Sequence, residues 1–156
     1  MHITIVAVGQ KLPAWAQTAV DDYLARFPRD FTVIVKEVKA EARTGGKPVA
    51  QVMAAEAERI ERAVPAGDIL VAMDEHGRDM TTVDFAKKIS GWKNEGCGVT
   101  FIIGGADGLD PALKAKARMK LRLSSMTLPH AFARVLLTEQ IYRAWSILAN
   151  HPYHRV

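Results

Sequence analysis

A chain of 156 residues can bury one sizeable core but not two independent ones, so a single domain over 1–156 is expected. Hydrophobic residues at 49% and charged residues at 24% are ordinary for a soluble globular protein. No apolar run approaches the roughly 20 residues that span a bilayer, which argues against a helical membrane protein. The net charge of +4 is unevenly placed: residues 111–156 hold eight Lys/Arg against Glu139 alone, a local +7, which leaves residues 1–110 at −3. Such asymmetry points to a polyanionic partner for the C-terminal part, the alternative being a solvated basic face.

The opening MHITIVAVGQ has neither a basic leader nor a small-residue cleavage site, and Ile3–Val8 reads as a buried strand ending at Gly9 rather than as a signal peptide. Pro13 opens a helical stretch through Arg26. Phe31–Val38 alternates like a strand, and Glu41–Lys47 is a polar, Gly-containing loop. Val49–Val64, rich in Ala and Glu and stopped by Pro65, is a long helix. Asp68–Met73 is a buried strand, Asp74–Asp79 a loop centred on Gly77, and Thr81–Trp92 a helix with a threonine N-cap. The single cysteine, Cys97, cannot form an internal disulfide and suits a reducing cytoplasm; with five scattered histidines it gives no zinc spacing, so no metal is expected. Val99–Ile103 is a further buried strand, Pro111–Ala117 one or two helical turns, and Met119–Leu123 has period two. Ala131–Ala149 is the last helix. Apolar strands separated by helices predict an α/β fold with a mainly parallel sheet flanked by helices.

The last helix carries Phe132, Val135, Leu136, Leu137, Ile141, Tyr142, Trp145, Ile147 and Leu148, too many for one stripe. It must be buried on more than one side, either as a central helix or partly by a second subunit, and a homodimer is favoured.

Ligands of parallel α/β sheets bind beyond the carboxyl ends of strands, where glycines admit backbone amides. Three segments qualify: Met73-Asp74; Gly104-Gly105-Ala106-Asp107-Gly108, which is neither a dinucleotide fingerprint nor a P-loop; and Leu123-Ser124-Ser125-Met126-Thr127-Leu128-Pro129-His130. The last is a polar, small-residue loop able to offer backbone donors and acceptors to an uncharged heterocycle. A Ser–His hydrolase is disfavoured, because no nucleophile elbow and no orienting acid are evident. The tail Asn150-His151-Pro152-Tyr153-His154-Arg155 gathers groups that stack on bases, move protons or pair with phosphate.

The stretch LSSMTLPHAFARVLLTEQIYRAWSILANHPYHR, the strand end FIIGGADG and the N-terminal IVAVGQKLPAW together resemble the SPOUT-class ribosomal RNA large subunit methyltransferase H family, over essentially the whole chain. One departure is Ala106-Asp107, where that family is expected to have Pro-Glu. The resemblance implies a fold with a C-terminal deep trefoil knot, and an obligate homodimer. It implies S-adenosyl-L-methionine as cofactor, held by Met73, Gly104, Gly105, Leu123, Ser124, Ser125, Met126, Thr127 and Leu128. The implied reaction is methylation of N3 of a pseudouridine in large-subunit (23S) rRNA within the ribosome. His130, Tyr153, His154 and Arg155 are the candidate catalytic residues, with Tyr153–Arg155 completing a site that faces the partner subunit's cofactor.

Overall fold

The computed structural model describes residues 1–9 and 11–154, so the catalytic candidate Arg155 lies outside the described residues. Strands β1 (His2–Val8), β2 (Thr32–Val38), β3 (Ile69–Arg78), β4 (Val99–Ile103) and β5 (Met119–Leu121) form one sheet in the order β2-β1-β4-β3-β5, parallel throughout. Helices α1 (Ala14–Arg26), α2 (Val49–Ala63), α3 (Thr82–Asn94), α4 (Pro111–Lys116) and α5 (His130–Leu148) alternate with the strands. This is the α/β architecture expected. Among the described residues no helix is long and apolar enough to cross a membrane.

The central strands β1 and β4 lack alternation because both faces are covered. Ile3, Ile5, Val99 and Phe101 pack towards α3 and α5, whereas Val6, Val8 and Ile102 pack towards α2 and α4. Local chemistry fixes the helix starts. Prolines 13, 48 and 129 immediately precede α1, α2 and α5. Thr81 caps α3 by accepting from the Asp84 N–H, and Asp110 caps α4 ahead of Pro111.

Two expectations need correction. Strand β3 runs on to Arg78, through the segment read as a loop. Its pairing with β5 breaks after Met73 and resumes at Arg78–Leu121. Gly77 passes so near β5 that a Cβ there would lie 2.8 Å from the Leu121 nitrogen, an approach only glycine permits. The second concerns charge. Of the cations in 111–156, Lys114, Lys116, Arg118, Arg122 and Arg134 face Asp74, Glu61, Glu95, Asp79 and Glu37, while Arg143 faces Glu139. The C-terminal excess therefore largely neutralises carboxylates of the first 110 residues and is not one free patch.

Helix α5 lies between α1 and α3, with Leu137, Ile141 and Ala144 turned to the sheet. Its own protomer accounts for most of its burial. Phe132 and Leu136 nevertheless stay exposed, and Trp15 of α1 joins them, its ring centroid 4.9 Å from that of Phe132.

Candidate active site

Strand order reverses between β1 and β4: the next strand after β1 adds on one side, while β4 leads to β3 and β5 on the other. Beyond this switch point opens a cleft of about 880 Å³, where such sheets place ligands. Its walls include Met73, Gly104, Gly105, Leu123, Ser124, Met126, Thr127, Leu128 and His130. Three segments far apart in sequence are thus brought together as anticipated. Ser125 is the one proposed cofactor contact absent from the walls; it is exposed, in a turn where Ser124 Oγ accepts from the Met126 N–H at 2.9 Å.

The glycine loop folds back on itself, the Gly108 N–H donating to the Gly105 carbonyl at 3.0 Å. A Cβ on Gly104 would sit 2.6–2.8 Å from backbone atoms of Gly108 and Leu109, so no side chain fits. Gly105 differs. Its Cβ would meet side chains instead of backbone, Glu56 Oε1 and Val8 Cγ1, both at 3.1 Å. Glu56 is buried and accepts from the Glu41 N–H at 3.0 Å, and Arg43 pairs with Asp107 at 2.6 Å. The segment around Glu41–Arg43 therefore braces the glycine loop from behind. Asp107, at the position departing from the expected Pro-Glu, has a structural partner.

His130 opens α5 at the cleft wall. Burial is the main influence holding its pKa below the ordinary value, and Arg134 one turn on adds to it; the nearby Gly104 and Val8 carbonyls pull the other way. The ring is therefore neutral at physiological pH. Its Nε2 reaches no partner at full hydrogen-bond geometry. Asp107 and Arg122 also line the cleft but face Arg43 and Asp79, so His130 Nε2 is a wall atom that a polar ligand could satisfy.

The tail lies elsewhere. Asn150 has a φ of 53°, and the His151 N–H bonds to the Ser146 carbonyl at 2.8 Å, a Schellman-type stop that turns the chain back along α5. The Tyr153 hydroxyl donates to Glu139 Oε1 at 2.9 Å and sits 3.0 Å from the Tyr23 hydroxyl. Its ring packs on Tyr142, centroids 4.7 Å apart, beneath the Arg143 guanidinium. His154 Nδ1 lies 3.0 Å from Ser146 Oγ. Burial, with the bonds to Tyr23 and Glu139, drives the Tyr153 pKa well up, so it remains a phenol. Neither Tyr153 nor His154 lines the cleft of its own chain.

A sequence profile described as "Predicted SPOUT methyltransferase" matches residues 1–154. The chain belongs to the SPOUT methyltransferase family. It is 54% identical over 156 residues to the ribosomal RNA large subunit methyltransferase H of Ralstonia pickettii (strain 12J), covering 100% of both chains. It is also 54% identical to the protein of that name from Bordetella avium (strain 197N), covering 99% of each. The fold resembles the structure of a probable methylase family protein from Haemophilus influenzae Rd KW20, with a TM-score of 0.61 at 15% identity, covering 99% of this chain and 70% of that one.

Several residues of this SPOUT cleft escape sequence reasoning. Glu75, His76, Lys114 and Arg122 line it, the first two brought there by the irregular end of β3 and its contact with β5. Glu56 could have been noticed as the one acid on the apolar stripe Val52–Ala57–Ile60 of α2. No group of three or more metal-ligating side chains that could hold a metal ion occurs among the described residues.

The state of His130 makes a stability prediction. Because its folded pKa is depressed, the unfolded chain binds the proton more tightly. Stability therefore rises with pH up to the unfolded value of about 6.5 and is lost as pH falls through the interval below it. The melting temperature should drop between pH 7 and pH 5.5, and less steeply in His130→Asn. Parallel slopes in the two proteins would contradict a neutral, buried His130.

Proposed function

We propose that this protein transfers a methyl group from S-adenosyl-L-methionine to N3 of a pseudouridine in large-subunit ribosomal RNA. It acts on the assembled ribosome, in the cytoplasm, as a homodimer of single SPOUT domains spanning 1–156. The observation that carries this reading is the cleft at the β1/β4 switch point, walled by eight of the nine residues proposed to hold the cofactor. Full-length identity to ribosomal RNA large subunit methyltransferases supports the choice of substrate. A deep trefoil knot belongs to the same proposal, supported by the return of the chain from edge strand β5 to His130, beside the ends of β1 and β4.

The donor supplies a methyl group bonded to a positively charged sulfur. The protein holds the two reactants in line, which is where most of the rate enhancement arises. Residues 123–128 and Gly104-Gly105 present backbone groups to the adenosyl portion, with Met73 and Leu128 as apolar walls. Ionisation of pseudouridine N3–H is helped by a base or a nearby cation, a role open to His130, His154 and Arg155. Tyr153 stays protonated and serves as a donor or stacking surface. Each tail completes the cleft of the other protomer, a reading supported by the absence of Tyr153 and His154 from the walls of their own cleft.

Purified protein should methylate ribosomes, and mass spectrometry of 23S rRNA from a deletion strain should lack one methyl group on a pseudouridine, restored by complementation. No affinity for S-adenosylmethionine in calorimetry would overturn the reading and leave an RNA-binding module. The dimer has its own test. Leu137 faces the protomer's own core, so Leu137→Glu would report folding rather than association. Phe132→Glu with Leu136→Glu, on the exposed stripe, should instead yield folded monomers in light scattering. The wild type should dimerise at micromolar concentration, burying more than about 1,000 Å² in total. A monomeric wild type would end the dimer proposal.

A further inference from the structure

With six of the eight C-terminal cations matched to carboxylates, a cluster of cations elsewhere stands out. Arg78, Lys87 and Lys88 have no carboxylate partner among the described residues, and with Arg118 they line one groove of about 640 Å³ between α3 and the β5 edge of the sheet. Arg118 is tied only to Glu95, at 2.9 Å, and both side chains are about half exposed, 52% and 49%. A surface pair of this kind is weak and exchanges readily for a phosphate. Asp84, at the α3 N-terminal end, is the remaining acid of the groove. Gly91 lines it too, with nothing within 4 Å of where a Cβ would stand, so a backbone can approach closely. Trp92 gives the groove a buried, rigid base.

The groove also has a direction. The Arg122 N–H bonds to the Arg78 carbonyl at 3.1 Å, and Arg122 lines the methyl-transfer cleft. Arg122 and Arg78 thus join the end of the cleft to the start of the groove. Helix α5 separates α3 from α1, so pairing through the Trp15–Phe132 stripe leaves this face open.

We infer that the groove formed by Arg78, Lys87, Lys88 and Arg118 is a docking track for the phosphate backbone of the ribosomal RNA flanking the target nucleotide. The inference rests on the reading of the protein as a ribosomal RNA methyltransferase and adds where that RNA leaves the cleft. Charge complementarity selects the occupant: spaced cations along an open, weakly apolar groove suit phosphodiesters, which position a nucleic acid without reading its sequence.

The test uses the full-length protein with Lys87→Ala and Lys88→Ala combined, both side chains being exposed and outside the cleft. Melting temperature and S-adenosylmethionine affinity should be unchanged. The KM for ribosomes should rise roughly tenfold at low salt with kcat preserved, and the slope of log affinity against log salt should flatten by about 1.4, two contacts' worth for a single strand. Deproteinised 23S rRNA should show the same loss of binding. An unchanged KM and salt slope would overturn the track. A loss confined to intact ribosomes would also overturn it, because the groove would then hold a ribosomal protein. Failure of the wild type to methylate ribosomes would instead strike the proposed function, while RNA binding and its dependence on Lys87 and Lys88 would still be measurable.

Discussion

Gly104→Ala is expected to abolish S-adenosylmethionine binding measurable by calorimetry and to lower stability by about 1–3 kcal/mol, the usual cost of forcing a methyl group into a close-packed site. The added Cβ would stand 2.6 Å from the Gly108 carbonyl carbon and 2.8 Å from the Leu109 nitrogen, both backbone atoms that cannot rotate away. The Gly104–Gly108 loop must open to admit it, and that loop forms a wall of the cleft. Gly105 is the contrasting position. There the Cβ meets Val8 and the Glu56 carboxylate at 3.1 Å, contacts that can yield by a few tenths of an ångström, so Gly105→Ala should bind the cofactor within a few-fold of wild type. Gly105→Val should still impair binding. Its cause would be displacement of Glu56 and of Val8, which itself lines the cleft, by the larger side chain. Normal affinity in Gly104→Ala would remove this loop from the site.

The contrast between neighbouring glycines marks where sequence reasoning stops. Apolar runs such as Ile3–Val8 and Val99–Ile103 carry their own diagnosis, since a strand covered on both faces cannot alternate, and the three strand-end segments follow from general rules of parallel sheets. What a glycine makes room for depends on a second segment, and Gly104, Gly105 and Gly77 face Gly108, Glu56 and Leu121 respectively. The same holds for charge. Arg134 looks like any helix cation in sequence, yet it is buried, with both terminal nitrogens on Glu37, nearly a hundred residues away. Residues 111–156 carry a net +7, but only the fold pairs most of those charges and leaves Lys87 and Lys88 without a carboxylate among the described residues. Glu56 and Asp107 were illegible for the related reason that their partners, Glu41 and Arg43, lie in an irregular polar segment without periodicity.

Deleting residues 153–156 should reduce methylation of ribosomes by at least about a hundredfold, the order expected when positioning or proton-transfer groups are lost. Cofactor affinity should be nearly unchanged, because neither Tyr153 nor His154 lines the cleft of its own chain. The truncation also removes the Tyr153 bonds to Glu139 and Tyr23 and its packing on Tyr142, so the melting temperature should fall even if the dimer persists. Single substitutions separate the two roles. Tyr153→Phe keeps the ring and deletes the hydroxyl; a change in stability without a change in rate would make Tyr153 a clasp that fixes the tail's path. His154→Ala should lower kcat and alter the pH profile if that imidazole moves the proton. Arg155→Ala, beyond the described residues, should raise the KM for ribosomes, with the deficit largest at low salt if it contacts phosphate. Mixing inactive truncated chains with chains inactivated at Gly104 tests whether the tail acts across the dimer. Heterodimers then contain one intact cleft and one intact tail on different protomers, and activity should return only if each tail serves the other subunit's cleft. Should the truncated protein methylate ribosomes at the normal rate, the tail only closes the end of α5, and His130, already neutral at the cleft wall, becomes the better base.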